Sequence, residues 1–244
     1  MKSPDIVGRA AGVQVSGGLT GLDLRQLPGL FLWYKAEDIA LPIGDPIPAI
    51  GDAGPFGVTA IQNTSTQQAI VIAVPAKANR KAISLDGENG AYWLALTPAN
   101  ATNTYTILVA HYHTQVTTGA LLWYPTNVLA IALADGGSGT RGYGYLDGGT
   151  WISGHTGAPG YEAISWQLNA AGGAVARNLV PVFNTTYTPR ASSDTGAMFG
   201  NRLSGGVGLN MKGHVFEMAV FSPALTNAQR ALVDQYLMNK YEIG

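Results

Sequence analysis

The sequence predicts an all-β domain, a sandwich or a barrel, closed by one terminal helix. Three observations carry that expectation. Short apolar runs with a two-residue alternation fill the chain. Turn signals such as "ADGGSGT", "LDGGT", "NAAGGA" and "LSGGVG" separate them about every 8–14 residues. One convincing amphipathic helix stands at the C-terminal end, in "LTNAQRALVDQYLMNKYEIG".

Composition agrees. Thirty-two glycines and 13 prolines are spread among 244 residues, where they punctuate the apolar runs. Hydrophobic residues make up 46% and suffice for a packed core. Charged residues are only 12%, about half of ordinary usage. A net charge of −1 and no basic cluster give a nucleic-acid role no support. No run reaches the roughly 18 apolar residues of a membrane span. Without cysteine, stability rests on packing and on the sheet ladder.

Along the chain, residues 1–28 are Gly-rich and weakly patterned, and read as an N-terminal arm or linker. Their scattered apolar groups, among them Val13, Val15, Leu22, Leu24 and Leu27, suggest a strip that orders on a neighbour. Deleting residues 1–27 is then expected to leave a folded domain that no longer assembles. The first strong strand is "GLFLWYKAEDI", residues 29–39, with Phe31, Trp33 and Lys35 on one face and Leu30, Leu32 and Tyr34 on the other. Residues 41–57, "LPIGDPIPAIGDAGPFG", read as loop. "QQAIVIAVP", "KAISLDGENGAYWLAL" and "NTYTILVAHYHT" follow as strands, the last with Tyr105, Ile107, Val109, His111 and His113 on one face. "GALLWY", "VLAIALAD", "RGYGYLD", "EAISWQLN", "LVPVFN", "GAMFGNRLS" and "KGHVFEMAVFS" complete the strands, with no domain break after residue 29. The helix, 226–241, begins with a capping box of Thr226 and Gln229. Its apolar stripe is Leu232, Val233, Tyr236, Leu237 and Tyr241; Asn227, Arg230, Asp234 and Asn239 make its polar face.

The pieces "LWYKAED", "AISLDGENGAYW" and the run from Phe199 to Tyr241 resemble the laminin G-like branch of the concanavalin A-like lectin/glucanase superfamily. The last run matches best, through Gly213, Val215, Glu217, Leu225, Thr226, Tyr236, Leu237, Lys240 and Tyr241. The resemblance covers roughly residues 29–244. It implies an antiparallel two-sheet jelly-roll sandwich with the helix as a terminal latch. Such domains serve in lectins, glycosidases, adhesion modules and the outer proteins of phage particles, so fold alone implies little about task.

Glycoside hydrolysis needs two carboxylates at a fixed separation. Glu217 is the strand-centred acid, with none two or four residues away, while Glu37, Asp38 and Glu162 read as isolated. Glu217 is therefore expected to be structural and the protein to be no enzyme. His111 and His113 are spaced to chelate a metal, but no Cys or nearby acid completes a set, so no metal is assigned. "DGENG" and "LADGGSG" carry oxygen groups of the kind calcium takes, and both also read as ordinary turns. No cofactor is expected. Carbohydrate binding draws on aromatics near loops with polar neighbours: Tyr143, Tyr145, Asp147, Trp151 and His155 in "GYGYLDGGTWISGH". Trp33, Trp93, Trp123 and Trp166 read as core.

The expected function is a non-enzymatic structural or attachment protein of a virus particle, a bacteriophage capsid, fibre or tail component. The alternative is a carbohydrate-binding module of a bacterial surface or secreted protein; a glycoside hydrolase ranks below both. The N-terminus lacks the apolar core of a secretory signal, which fits assembly in a host cytoplasm. The expected partners are other virion proteins or copies of this chain through the arm, and a cell-surface glycan, with no nucleic acid and no membrane.

Overall fold

A computed structural model describes residues 22–86, 92–95, 104–113, 119–123, 129–135, 141–147, 150–153, 160–187, 196–199 and 211–244. In chain order its strands are β1 (Leu30–Lys35), β2 (Ala49–Ile50), β3 (Ala60–Ile61), β4 (Ile70–Val74), β5 (Arg80–Asp86), β6 (Tyr92–Ala95), β7 (Tyr105–His113) and β8 (Gly119–Trp123). They continue with β9 (Leu129–Asp135), β10 (Arg141–Asp147), β11 (Thr150–Ser153), β12 (Gly160–Asn169), β13 (Gly172–Arg177), β14 (Val180–Thr185), β15 (Gly196–Phe199) and β16 (Lys212–Phe221). The helix α1 spans Asn227–Tyr241.

The strands form two eight-stranded antiparallel sheets, as the expected all-β jelly-roll sandwich requires. The first runs β14-β13-β12-β7-β16-β5-β4, with β1 also paired to β16; the second runs β11-β10-β9-β8-β15-β6-β3-β2. Strand β16 is shared along its length: Lys212–Val215 pair with β5, and Glu217–Phe221 pair with β1.

Two apolar layers hold the first sheet. The inner one includes Tyr34, Ile83, Ile107, Val109, Ile164, Trp166, Met218 and Val220. The outer one, between sheet and helix, includes Trp33, Leu108, Phe216, Ala219, Phe221, Val233, Tyr236, Leu237 and Tyr241. The helix needs that surface because an isolated helix of this length is marginal in water.

Strict alternation fails in two strands, both times at a β-bulge. In β1 the register shifts between Leu30, opposite Phe221, and Leu32, opposite Val220. Phe31 and Leu32 therefore both enter the inner layer, rather than Phe31 sharing a face with Trp33 as the two-residue period predicts. In β16 the register shifts between Val215 and Glu217. Phe216 packs in the outer layer and Glu217 bonds to side chains of the helix, so both lie on the helix side; the extra residue re-aims the carboxylate.

The helix starts where expected. Thr226 accepts from the Gln229 backbone N–H at 3.3 Å while the Gln229 side chain accepts from the Thr226 backbone, a complete capping box. Its expected polar face is corrected in part. Asp234 is 1% exposed and accepts from Ser165 Oγ on β12 at 2.8 Å, and Arg230 donates to the same Ser165 Oγ at 2.9 Å. Gln167 Nε2 adds a bond to the Leu225 carbonyl at 2.6 Å. Residues that look solvent-facing by periodicity thus bind a polar strip of β12.

The boundary expected at residue 29 is also corrected. Leu22, Leu24 and Leu27 are buried in the layer beneath the helix, at 5%, 0% and 3% exposure. Asp23 caps a short 3-10 turn by accepting from the Arg25 N–H, and the hydrogen bond from that residue's side chain lowers the Asp23 pKa. Gly29, at φ +77°, joins this turn to β1, and a Cβ there would meet the Pro223 carbonyl oxygen at 3.0 Å. The packed domain therefore reaches back at least to residue 22. The remainder of the expected arm, residues 1–21, lies outside the described residues.

Candidate functional site

The bulge in β16 delivers Glu217 to the middle of the outer layer at 0% exposure. An isolated carboxylate there would be very costly, so its partners define the site. Trp33 Nε1 on β1 donates to Oε1 at 2.6 Å, and the Tyr236 hydroxyl donates to the same oxygen at 3.1 Å. The Tyr241 hydroxyl and Lys240 Nζ donate to Oε2, each at 2.7 Å. Burial, and then the nearby Glu217 charge, push both tyrosine pKa values far above the ordinary phenol range, so both hydroxyls stay protonated donors. Lys240 Nζ also donates to Glu37 Oε1 at 2.6 Å. Folding thus brings Glu37 and Glu217, far apart in sequence, to one ammonium. The lone acid of the sequence reading has a carboxylate neighbour, but with a cation between them.

This node forms the floor of a cleft of about 580 Å³ lined by Leu22, Asp23, Arg25, Trp33, Lys35, Glu37, Asp38, Ala53, Arg80, Tyr236 and Lys240. One wall is fixed by Asp52. Its Oδ1 accepts from the backbone N–H groups of Trp33 and Gly54, both at 2.7 Å, and Oδ2 accepts from Val58 at 3.1 Å. The Lys35 ammonium lies 4.6 Å from the Trp33 ring centre and 2.8 Å from Asp38.

The sequence-predicted carbohydrate residues fall elsewhere. Tyr143, Tyr145 and Asp147 occupy β10, and Trp151 occupies β11, so four of the five sit on one hairpin at the edge of the second sheet. The register pairs Tyr145 with Ile152, Leu146 with Trp151 and Asp147 with Thr150. Trp151 is therefore one residue out of phase with the three β10 positions. His155 lies outside the described residues.

Of the histidine pair, His111 is 1% exposed and stands opposite Glu162 in the β7–β12 register, with Nε2 3.8 Å from that carboxylate. Arg177 Nη2 reaches Glu162 at 2.6 Å. Glu162, read as isolated, is thus buried beside His111 and paired with Arg177. Among the described residues no group of three His, Cys, Asp or Glu side chains could hold a metal ion. Of the calcium candidates, residues 87–90 and 136–139 lie outside the described residues.

An aromatic row crosses the outer face of the first sheet. Tyr161, Tyr112 and His214 are direct register neighbours on β12, β7 and β16. Tyr112 and His214 stack with ring centres 5.6 Å apart, and Tyr112 and Tyr161 lie 4.6 Å apart. The rings use their faces on one another, the cross-strand pairing that stabilises a sheet, and so make a poor stacking platform for a sugar. Burial lowers the His214 pKa.

Comparison with solved structures places the fold among β-sandwich domains of binding proteins and glycosidases. Domain 4 of AbnA, an extracellular GH43 arabinanase from Geobacillus stearothermophilus solved in complex with arabinotriose, is similar with TM-score 0.57 and 15% identity, covering 87% of this chain and 98% of that domain. The binding domain of Paraclostridial Mosquitocidal Protein 1 gives TM-score 0.62 and 13% identity over 86% of this chain and 53% of the other. A SAP-like pentraxin from Limulus polyphemus gives TM-score 0.51 and 17% identity over 62% of this chain and 80% of the other. A Trypanosoma rangeli sialidase matches too, but this chain spans only about a third of its length. Identities this low establish the shared sandwich, in keeping with the expected concanavalin A-like architecture. No protein-family model and no curated protein sequence matches the chain.

The sequence flagged Glu217 but not its donors. The signal was present: Tyr236, Lys240 and Tyr241 are spaced to lie on one helix face, where a polar tip on each interrupts an otherwise apolar stripe.

Proposed function

We propose that this chain is a non-catalytic attachment module that binds carbohydrate on a cell surface and is carried on a virus particle. The observation that carries the non-catalytic part is the state of Glu217. Both its oxygens accept hydrogen bonds from Trp33, Tyr236, Tyr241 and Lys240 at 0% exposure, which leaves it no reach to a substrate. A general acid must come within hydrogen-bond distance of the bond it protonates. The carbohydrate part is supported by the sandwich shared with a domain solved with arabinotriose, and by the Tyr143, Tyr145, Asp147 and Trp151 positions gathered on an edge hairpin. The particle is supported by the sparse charge of the chain, suited to large permanent contacts.

The second reading, a carbohydrate-binding module of a bacterial surface or secreted protein, is favoured by the near-complete span of the arabinanase domain. One set of measurements separates the two. Retention on immobilised polysaccharides, lost in the Tyr145→Ala and Trp151→Ala variants, supports carbohydrate binding. Co-purification with intact particles supports the virion setting, and its absence the second reading. Turnover of any glycan by the parent, lost in Glu217→Gln, overturns the non-catalytic reading.

A further inference from the structure

We infer that the cleft beneath the terminal helix is a second ligand site, separate from the β10–β11 hairpin, and that it takes a saccharide unit bearing a carboxylate, held by Arg80. Its volume of about 580 Å³ is in the ordinary range for small-molecule sites. Its floor is preorganised, because Glu217 and Lys240 fix the Trp33 and Tyr236 side chains by hydrogen bonds rather than leaving them to repack.

Charge pairing then points to the ligand. Four cations line the cleft. Arg25 is held by Asp23 at 2.8 Å, Lys35 by Asp38 at 2.8 Å, and Lys240 by Glu37 at 2.6 Å and Glu217 at 2.7 Å. Arg80 has no carboxylate within salt-bridge distance among the described residues; its guanidinium carbon lies 5.6 Å from the Tyr241 ring centre. A guanidinium carries five donors in a planar fork that fits a carboxylate with two parallel bonds. Tyr241, itself bonded to Glu217, props that group at the cleft wall. In the same lining, the exposed carboxylates of Glu37 and Asp38, at 41% and 47%, offer acceptors for hydroxyl groups. One carboxylate plus several hydroxyls is the chemistry of a sugar acid. A neutral sugar would leave the Arg80 fork without an anion.

The test is calorimetric titration of the full chain with glucuronic acid, galacturonic acid and N-acetylneuraminic acid, with glucose and galactose as neutral counterparts. At least one acid should bind and the neutral sugars should not. Arg80→Gln should weaken that binding by about tenfold or more, and Arg80→Lys by less, each with the fold intact by melting temperature. Tyr145→Ala and Trp151→Ala should leave it unchanged, which separates this site from the hairpin. Failure of all three acids to bind, equal binding of the neutral sugars, or full binding by a folded Arg80→Gln variant overturns the inference.

Discussion

Glu217 sits where four donors converge, one of them the Lys240 ammonium, so its removal is felt by both β1 and the helix. Glu217→Gln keeps the shape but places an amide where Lys240, Trp33 and two phenols all donate. The expected loss is about 2–4 kcal/mol of unfolding free energy, read from denaturant curves, since a nearly buried ammonium loses its charge partner. A parental midpoint would mean that Glu37 alone satisfies Lys240. Asp234 gives a second, pH-dependent test. Burial pushes its pKa up to about 7 from an ordinary value of 3.8, opposed by Ser165 and Arg230. The native state thus holds a proton that the unfolded chain releases. Stability is expected to fall as pH rises from about 4 to about 7 and to level off above that. Asp234→Asn, which cannot release a proton, should flatten the decline in melting temperature across that window.

At the scale of elements, the helix shows what the sequence made legible. Its start, its capping box and its apolar stripe follow from local spacing, and all three are in the structure. Leu237 is 0% exposed beneath it. Leu237→Asp should cost about 3–5 kcal/mol, because an unpaired charge enters an apolar contact; a parental melting curve would mean the helix is not a latch. What local spacing hid was anything set by a bulge or by a distant strand. A single extra residue in β1 moves Phe31 to the inner layer, and one in β16 turns Glu217 outward. No two-residue pattern announces either, because a bulge is fixed by pairing across the sheet. Glu162 looked isolated for the same reason: its neighbour His111 is a register partner 51 positions earlier in the chain. For the β10–β11 hairpin, residue types were readable but the phase of Trp151 was not, since it depends on pairing Asp147 with Thr150.

For the molecule as a whole, the corrected boundary changes what a truncation does. Removing residues 1–27 would strip Leu22, Leu24 and Leu27 from under the helix, and three buried leucines at about 1.5–3 kcal/mol each are worth about 4.5–9 kcal/mol together. That truncation is now expected to lower the melting temperature sharply, contrary to the reading of an arm that ends at residue 28. Removing residues 1–21 alone keeps all three leucines and should preserve the melting transition. Equal melting of both truncations would return residues 22–27 to the arm.

The shared partner of β1 also sets a timetable for biosynthesis. Strand β1 leaves the ribosome among the first described segments, yet the strand it pairs with, β16, is among the last. Throughout translation the nascent chain carries an apolar strand with no edge to join, and ordering it means closing a loop that spans most of the chain. Such a strand is a hazard for pairing between neighbouring nascent chains on a polysome. Ribosome-stalled chains ending at residue 210 should therefore remain open to protease at β1, whereas full-length released chains should resist it. Resistance in the stalled chains would show that β1 finds shelter before its native partner exists.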